Sequence, residues 1–283
     1  VSGFARKSGV AVEALEKLRT PKGEIYVARV STSGRALDAV LATVVEDALK
    51  RLPVPKLMRW GSGEAQFVRP VHGLVMIHGS RIVPGHVLGV ESSNKTLGHR
   101  FLSGGAIVLK HADDYERALR DAGKVIVDLA GRRAEIAKRL ETIAGGAMLV
   151  ANDALLDEIA ALVESPAVYA GAFDAGFLSV PEECLVLSMQ QHQKYVPLRD
   201  RETGKLLPRF LFVSNLETKD PREIVRGNQR VLRARLADAK FFYDQDRKTR
   251  LETRVPRLAG VVNHSKLGSQ LERVERIQLL AGR

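Results

Sequence analysis

KYVPLRDRETGKLLPRFLFVSN, residues 194–215, reads as a β-hairpin: two apolar segments flank a charged turn that contains Gly204. Downstream of it, from Pro221 onward, the pattern becomes helical and remains so to the end of the sequence, apart from a break near Gly260. Upstream, strand and helix patterns alternate. The change of texture places a domain boundary near residue 220, with a mixed α/β domain over 1–220 and an all-α segment over 221–283.

Working outward toward the N-terminus, AVYAGAF (167–173) is a strand, and PEECLVLSMQQ (181–191) is a helix starting at Pro181. NDALLDEIAALVE (152–164) is a helix whose first turn donates to Asn152. Before it come helix DDYERALRDAG (113–123), strand KVIVDL (124–129) and helix GRRAEIAKRLETIAGG (131–146), the two helices closed by glycines. PVHGLVMIHGSRIVPGHVLGV (70–90) predicts two or three short strands separated by His-Gly-Ser and Pro-Gly turns, and AIVLK (106–110) another. ALDAVLATVVEDALKR (36–51) is helical and is broken by the two prolines of LPVPKLMRWG (52–61).

A chain of 283 residues is long enough for two domains, and its 45% hydrophobic and 27% charged content is that of an ordinary globular protein, not the leading pattern of a disordered one. The 44 Lys and Arg against 33 Asp and Glu leave a net charge of +11, which favours a polyanionic partner through long-range attraction and counterion release. One cysteine, Cys184, rules out an intrachain disulfide and a cysteine zinc cluster; its apolar setting predicts a buried thiol. With no long apolar run and a charged opening, VSGFARKSGV, the sequence reads as soluble and cytoplasmic. The absence of an initiator Met and the uncapped helical pattern LERVERIQLLAGR at the end predict a piece of a longer polypeptide.

Familiar chemistry is missing. There is no GxxxxGK[ST] phosphate loop and no GxSxG nucleophile. The seven histidines (72, 78, 86, 99, 111, 192, 264) form no HExxH pair, so no metal site is expected, although 72, 78 and 86 would share a face on a continuous strand.

The long helix after Pro221 has an apolar stripe of Ile224, Val225, Val231, Leu232, Leu236, Ala239, Phe242 and Tyr243, with Arg226, Arg230, Arg233 and Lys240 on the other side. Those four cations fit an extended anion such as an RNA backbone, a subunit contact, or a solvated charged face. Arg235 projects from the stripe itself, so it is expected to be buried and paired with Asp238 or with a carboxylate of the preceding domain, joining the two domains, with RNA contact as the alternative. GHRF (98–101) and HQKY (192–195) each join a His, a cation and an aromatic at a turn. His99, Arg100, His192, Lys194 and Tyr195 are therefore candidates to stack a base or hold a phosphate, or else to fasten turns to the core.

KLMRWGSGEAQFVRPVHGLVMIHGSRIVPGHVLGVESSNKTLGHRF (56–101), with HQKYVPL, GKLLPRFLFVSN and GNQRVLRARLADAKFFYDQD, resembles the β subunit of bacterial tetrameric glycyl-tRNA synthetase, in collinear order over nearly the whole chain. The resemblance implies a tRNA-binding, non-adenylating subunit of a cytoplasmic α2β2 ligase. The α subunit would then carry out the ATP-dependent chemistry, with Mg at its own site and no cofactor in this chain. It further implies a B3/B4-like α/β domain over 1–220, followed by the start of an HD-like helical domain. The C-terminal tRNA-body and anticodon-binding parts would lie elsewhere. Alternatives are hydrolytic editing of mis-aminoacylated tRNA by the B3/B4-like domain, and a scaffold for subunit assembly. The sequence departs from the pattern at Gly73 and Val196, where the family often has bulkier residues. It also lacks any His-Asp dipeptide, so HD-type hydrolysis is not expected.

Overall fold

A computed structural model of the chain describes residues 1–21, 23–31 and 33–282. It forms two compact units, Val1–Thr96 with Val108–Asp113, and Leu97–Ile107 with Asp114–Arg283. The first opens with helix α1 (Ser2–Ser8), ended by Gly9 at φ 67, the left-handed geometry that glycine adopts without strain. An antiparallel pair follows, β1 (Leu15–Thr20) and β2 (Gly23–Ala28), with Leu15 opposite Ala28. Helix α2 (Leu37–Lys50) matches its apolar spacing.

The 70–90 stretch is more finely divided than the two or three strands expected. After β3 (Met58–Arg59) and β4 (Gln66–Phe67) come β5 (Leu74–Val75), β6 (Ile77–His78), β7 (Arg81–Ile82), β8 (His86–Val87) and β9 (Val90–Ser93). Each turn glycine interrupts a ladder after about two residues, so strand character is spent in short pairings. β9 joins β5 in parallel and β8 antiparallel, while β6 and β7 form a separate antiparallel pair. His78 and His86 therefore lie in different sheets, and His72 lies in no strand. Met76, Val83, Val87 and Leu109 are buried, and Arg81 clamps the first turn of α2 with 2.7 and 2.8 Å bonds to Asp38. Strands β10 (Lys95–Leu97) and β11 (Ala106–Val108) lie where the chain crosses between units.

The second unit contains α3 (Tyr115–Asp121), α4 (Leu129–Ala144), β12 (Met148–Leu149), α5 (Asp153–Leu162), β13 (Ala167–Ala172), α6 (Glu182–Gln193), β14 (Val196–Arg199) and β15 (Leu206–Ser214). The predicted caps operate: Asn152 accepts from Leu155 N–H, and Gly145 closes α4 at φ 61. Residues 124–129, expected as a strand, form none. Lys124 has φ 57, and the segment is held by isolated bonds instead, including Ile126 N–H to Glu164 O and Arg132 Nη1–H to Ile126 O.

The 194–215 hairpin lies at the centre of an antiparallel sheet ordered β12-β14-β15-β13. Its second strand is continuously apolar over 210–213 because both faces are covered there, while Arg209 is exposed. Leu207, Leu211 and Val213 pack with Ile136, Leu140, Leu155 and Ile159 of α4 and α5. The alternate residues Leu206, Phe210 and Phe212 pack with Leu185 and Met189 of α6 and with Leu232 and Leu236 of α7 (Arg222–Arg247). Gly171 sits opposite Phe210 because a Cβ there would lie 2.5 Å from the ring. Cys184, expected to be buried, is exposed: α6 buries the i, i+4 pair Leu185 and Met189, and Cys184 lies off that stripe.

Residues 221–283, expected to be all helical, also contain 3₁₀ turns (Leu251–Gly260) and a small antiparallel pair, β16 (Val262–His264) and β17 (Gly268–Ser269). Ser269 and Glu272 then form a capping box that starts α8 (Gln270–Ala281). Among the described residues no helix is long and apolar enough to cross a membrane.

Candidate nucleic-acid interface

Helix α7 is seated by Leu232 and Leu236, fully buried, with Ile224, Val225 and Tyr243 partly buried around them. Beneath it Tyr195 stacks on Phe210 with ring centroids 4.7 Å apart and donates its hydroxyl to Asn228 Oδ1 at 2.7 Å. Burial pushes that hydroxyl up to about 12, with the Arg235 guanidinium acting against the shift.

At about 100° per residue, Arg226, Gln229, Arg230 and Arg233 fall on one flank of α7, beside rather than opposite the buried stripe. With Ala172, Phe173 and Asp174, from the end of β13 and the turn after it, they line a cleft of about 570 Å³. The three guanidinium groups span roughly 10 Å along the helix axis. Arg226 makes only a loose 3.9 Å contact with Glu223, itself exposed, and Arg230 and Arg233 have no ion pair among the described residues. Asp174 is the one carboxylate in the wall, and it already accepts from Gly176 N–H at 2.8 Å. The cleft thus offers three planar guanidinium forks, two without an ion pair among the described residues and one loosely paired, the arrangement that suits phosphate oxygens. Sequence periodicity found the arginines. It missed Gln229 and the 172–174 wall, because only the tertiary packing of α7 on β13 brings that wall alongside.

The other candidates separate into surface and core. Lys240 is committed to Asp244 at 2.9 Å and to Ser179 Oγ at 3.4 Å, outside the cleft. Lys194, in the left-handed turn that ends α6, pairs with Glu158 at 2.7 Å. His192 and Arg100 are exposed. Tyr195 and His99, each 3% exposed, are fastening residues with no face open to a base. His99 Nδ1 accepts from the N–H groups of Phe101 and Leu102, both at 3.2 Å, so the ring proton resides on Nε2 and is donated to Asn215 O at 2.6 Å.

Arg235 corrects an expectation. It and Asp238 are exposed, and no ion pair joins them. Val231 and Phe242, counted as apolar stripe, are 44% and 64% exposed, so the buried stripe is narrower and centred on Val225, Leu232, Leu236 and Tyr243. Measured from that centre Arg235 lies roughly 80° round the helix, at the margin, where its stem can pack and its head remain in water. Among the described residues no three His, Cys, Asp or Glu side chains gather as metal ligands.

The family model described as glycyl-tRNA synthetase beta subunit matches residues 1–283. A glycine–tRNA ligase beta subunit from Neisseria gonorrhoeae (strain ATCC 700825 / FA 1090) is 52% identical over 283 residues, 99% of this chain and 41% of its own length. That of Aromatoleum aromaticum is 56% identical over 275 residues, 96% of this chain and 39% of the relative. That of Serratia proteamaculans is 46% identical over 284 residues, 99% and 41% of the two chains. The chain therefore spans about two fifths of the length of the curated relatives it matches. With the whole of its sequence matched by the family model and half of its residues identical to those of curated members, the chain belongs to the glycyl-tRNA synthetase beta subunit family.

Proposed function

We propose that this chain is part of the β subunit of a glycine–tRNA ligase and contributes tRNA binding rather than adenylation. The observation that carries the proposal is the cleft along α7, where Arg226, Arg230 and Arg233 gather with only a loose 3.9 Å contact from Arg226 to Glu223 as an ion pair among the described residues. In this reading the partners are an α subunit and tRNA(Gly) in a cytoplasmic α2β2 assembly. ATP and Mg are used at the α-subunit site. Residues 1–220 would serve as a B3/B4-like domain and 221–283 as the opening of an HD-like domain.

In the assembled full-length ligase, replacing Arg226, Arg230 and Arg233 by Glu should spare glycine-dependent ATP–pyrophosphate exchange. It should lower kcat/KM for tRNA by at least about tenfold, because each phosphate contact is a charge-assisted bond. Equal loss of both activities would point to a structural role instead.

A scaffold reading draws on a different observation. Phe241 and Phe242 on α7, and Leu279 and Leu280 on α8, are each more than half exposed. Under that reading the arginine variant keeps its tRNA kinetics, while polar replacements at these apolar positions weaken copurification with the α subunit.

A further inference from the structure

In the loop following β10, Gly98 to Ser103, the backbone is firmly held while two side chains remain unoccupied. His99 N–H donates to Gly123 O at 2.7 Å, Ser103 N–H to His99 O at 3.0 Å, and the buried His99 ring adds its bonds to Asn215 O, Phe101 N–H and Leu102 N–H. Gly98 lies so close to Gly123 that a Cβ would come 2.3 Å from the Gly123 Cα, which locks the two loops together. Yet Phe101 is 74% exposed, more than any other aromatic among the described residues. Its ring leans on His99 at 6.1 Å between centroids, tilted by 57°, which leaves the rest of its surface in solvent. Arg100 beside it, and Lys124 next to Gly123, are exposed and have no ion pair among the described residues.

An aromatic ring left in water is unfavourable, and a mobile loop would let it fold back onto apolar surface. Here the hydrogen bonds forbid that, so the ring is displayed at little further ordering cost on binding. We propose that Phe101 is a stacking platform for one unpaired base of RNA, with Arg100 and Lys124 meeting the phosphates on either side, a proposal that rests on the tRNA-binding reading above. RNA is favoured over a protein surface because two exposed cations, Arg100 and Lys124, belong to the same two locked loops as the ring and the chain carries a net charge of +11. A flat ring with adjacent cations suits a splayed base, which presents a π face and a phosphate together.

The test is the equilibrium affinity of the full-length ligase for its tRNA, measured across a salt series for Phe101→Ala, Phe101→Leu, Phe101→Trp and Arg100→Ala. Stacking predicts that the Ala and Leu variants both lose roughly 5- to 100-fold in affinity, with the salt slope unchanged, while the Trp variant binds as well as or better than wild type. Arg100→Ala should lower the slope by about one phosphate's worth. If the Leu variant matched wild type, the contact would be merely apolar and the proposal overturned. If all Phe101 variants matched wild type while wild type still bound tRNA with its salt dependence, the proposal would fall and the tRNA-binding reading would stand. If wild type had no tRNA affinity, both would fall. Weakened association with the α subunit at unchanged tRNA affinity would overturn the proposal in favour of a protein contact.

Discussion

Replacing His99 by Leu removes a hub while nearly preserving its volume. In the native structure the ring satisfies three backbone groups: the carbonyl of Asn215, 116 residues away, and the N–H groups of Phe101 and Leu102. Leucine leaves the Asn215 carbonyl without that donor, at about 1–3 kcal/mol, the usual cost of an unsatisfied buried acceptor. The two amides sit on one shared lone pair at 3.2 Å and lie nearer the surface, so together they add about 0.5–1 kcal/mol. A local loss of about 1.5–4 kcal/mol raises the open population of the 98–103 loop by roughly one to three orders of magnitude. Hydrogen exchange of the full-length subunit reads this directly, as faster exchange in peptides containing Phe101 and Leu102. An Asn215→Ala variant provides the contrast. It removes the side-chain oxygen that accepts from Glu164 and Ser165 N–H, both at 2.8 Å, but keeps the carbonyl that His99 uses. Exchange should then rise at 164–165 and stay low at 98–103. Unchanged protection of 98–103 in the His99 variant would refute the hub.

Three further outcomes follow from the packing around α7. The Tyr195 hydroxyl is held at about 12 against an ordinary 10.0, so the folded chain keeps that proton more tightly than the unfolded one. Its contribution is intact below pH 10 and is lost as pH rises from 10 toward 12. Tyr195→Phe should therefore flatten alkaline destabilisation in that window by on the order of 2 kcal/mol, and lose about 1 kcal/mol at neutral pH with the Asn228 bond. Parallel denaturation curves for the two proteins between pH 9 and 12 would contradict this. Arg235→Ala, at an exposed margin, should change stability by less than about 0.5 kcal/mol, whereas Leu232→Ala should cost about 2–5 kcal/mol in the same melts. Gly171→Ala forces a methyl to 2.5 Å from the Phe210 ring and should cost about 1–3 kcal/mol, seen as a lowered Tm.

What sequence reading recovered depended on how local the determinants are. The end of α4 at Gly145 and the start of α5 at Asn152 were legible because a cap lies within four residues of what it caps. The 194–215 hairpin was legible because its turn and its apolar strands are contiguous. Residues 124–129 look like a strand by composition, yet whether a β-branched run enters a ladder depends on a neighbour being free to pair, and here each nearby partner is engaged singly. At the candidate site, Arg226, Arg230 and Arg233 could be grouped by helical period alone. The roles of His99 and Tyr195 could not, because Asn215 and Asn228, which hold them, are 116 and 33 residues distant. Arg235 was misplaced for a physical reason. Apolar residues at exposed positions, Val231 and Phe242, widened the apparent stripe and shifted its centre toward it.

The central claim, that the α7 cleft meets RNA through its arginines, is tested most directly by the salt dependence of tRNA binding to the assembled full-length ligase. Wild type and Arg226→Glu/Arg230→Glu/Arg233→Glu are measured over the same salt series. The account predicts a loss of affinity of at least about tenfold and a log–log slope shallower by roughly 2–3 units, about 0.9 for each duplex phosphate contact removed. Identical affinity and identical slope in the two proteins would contradict it.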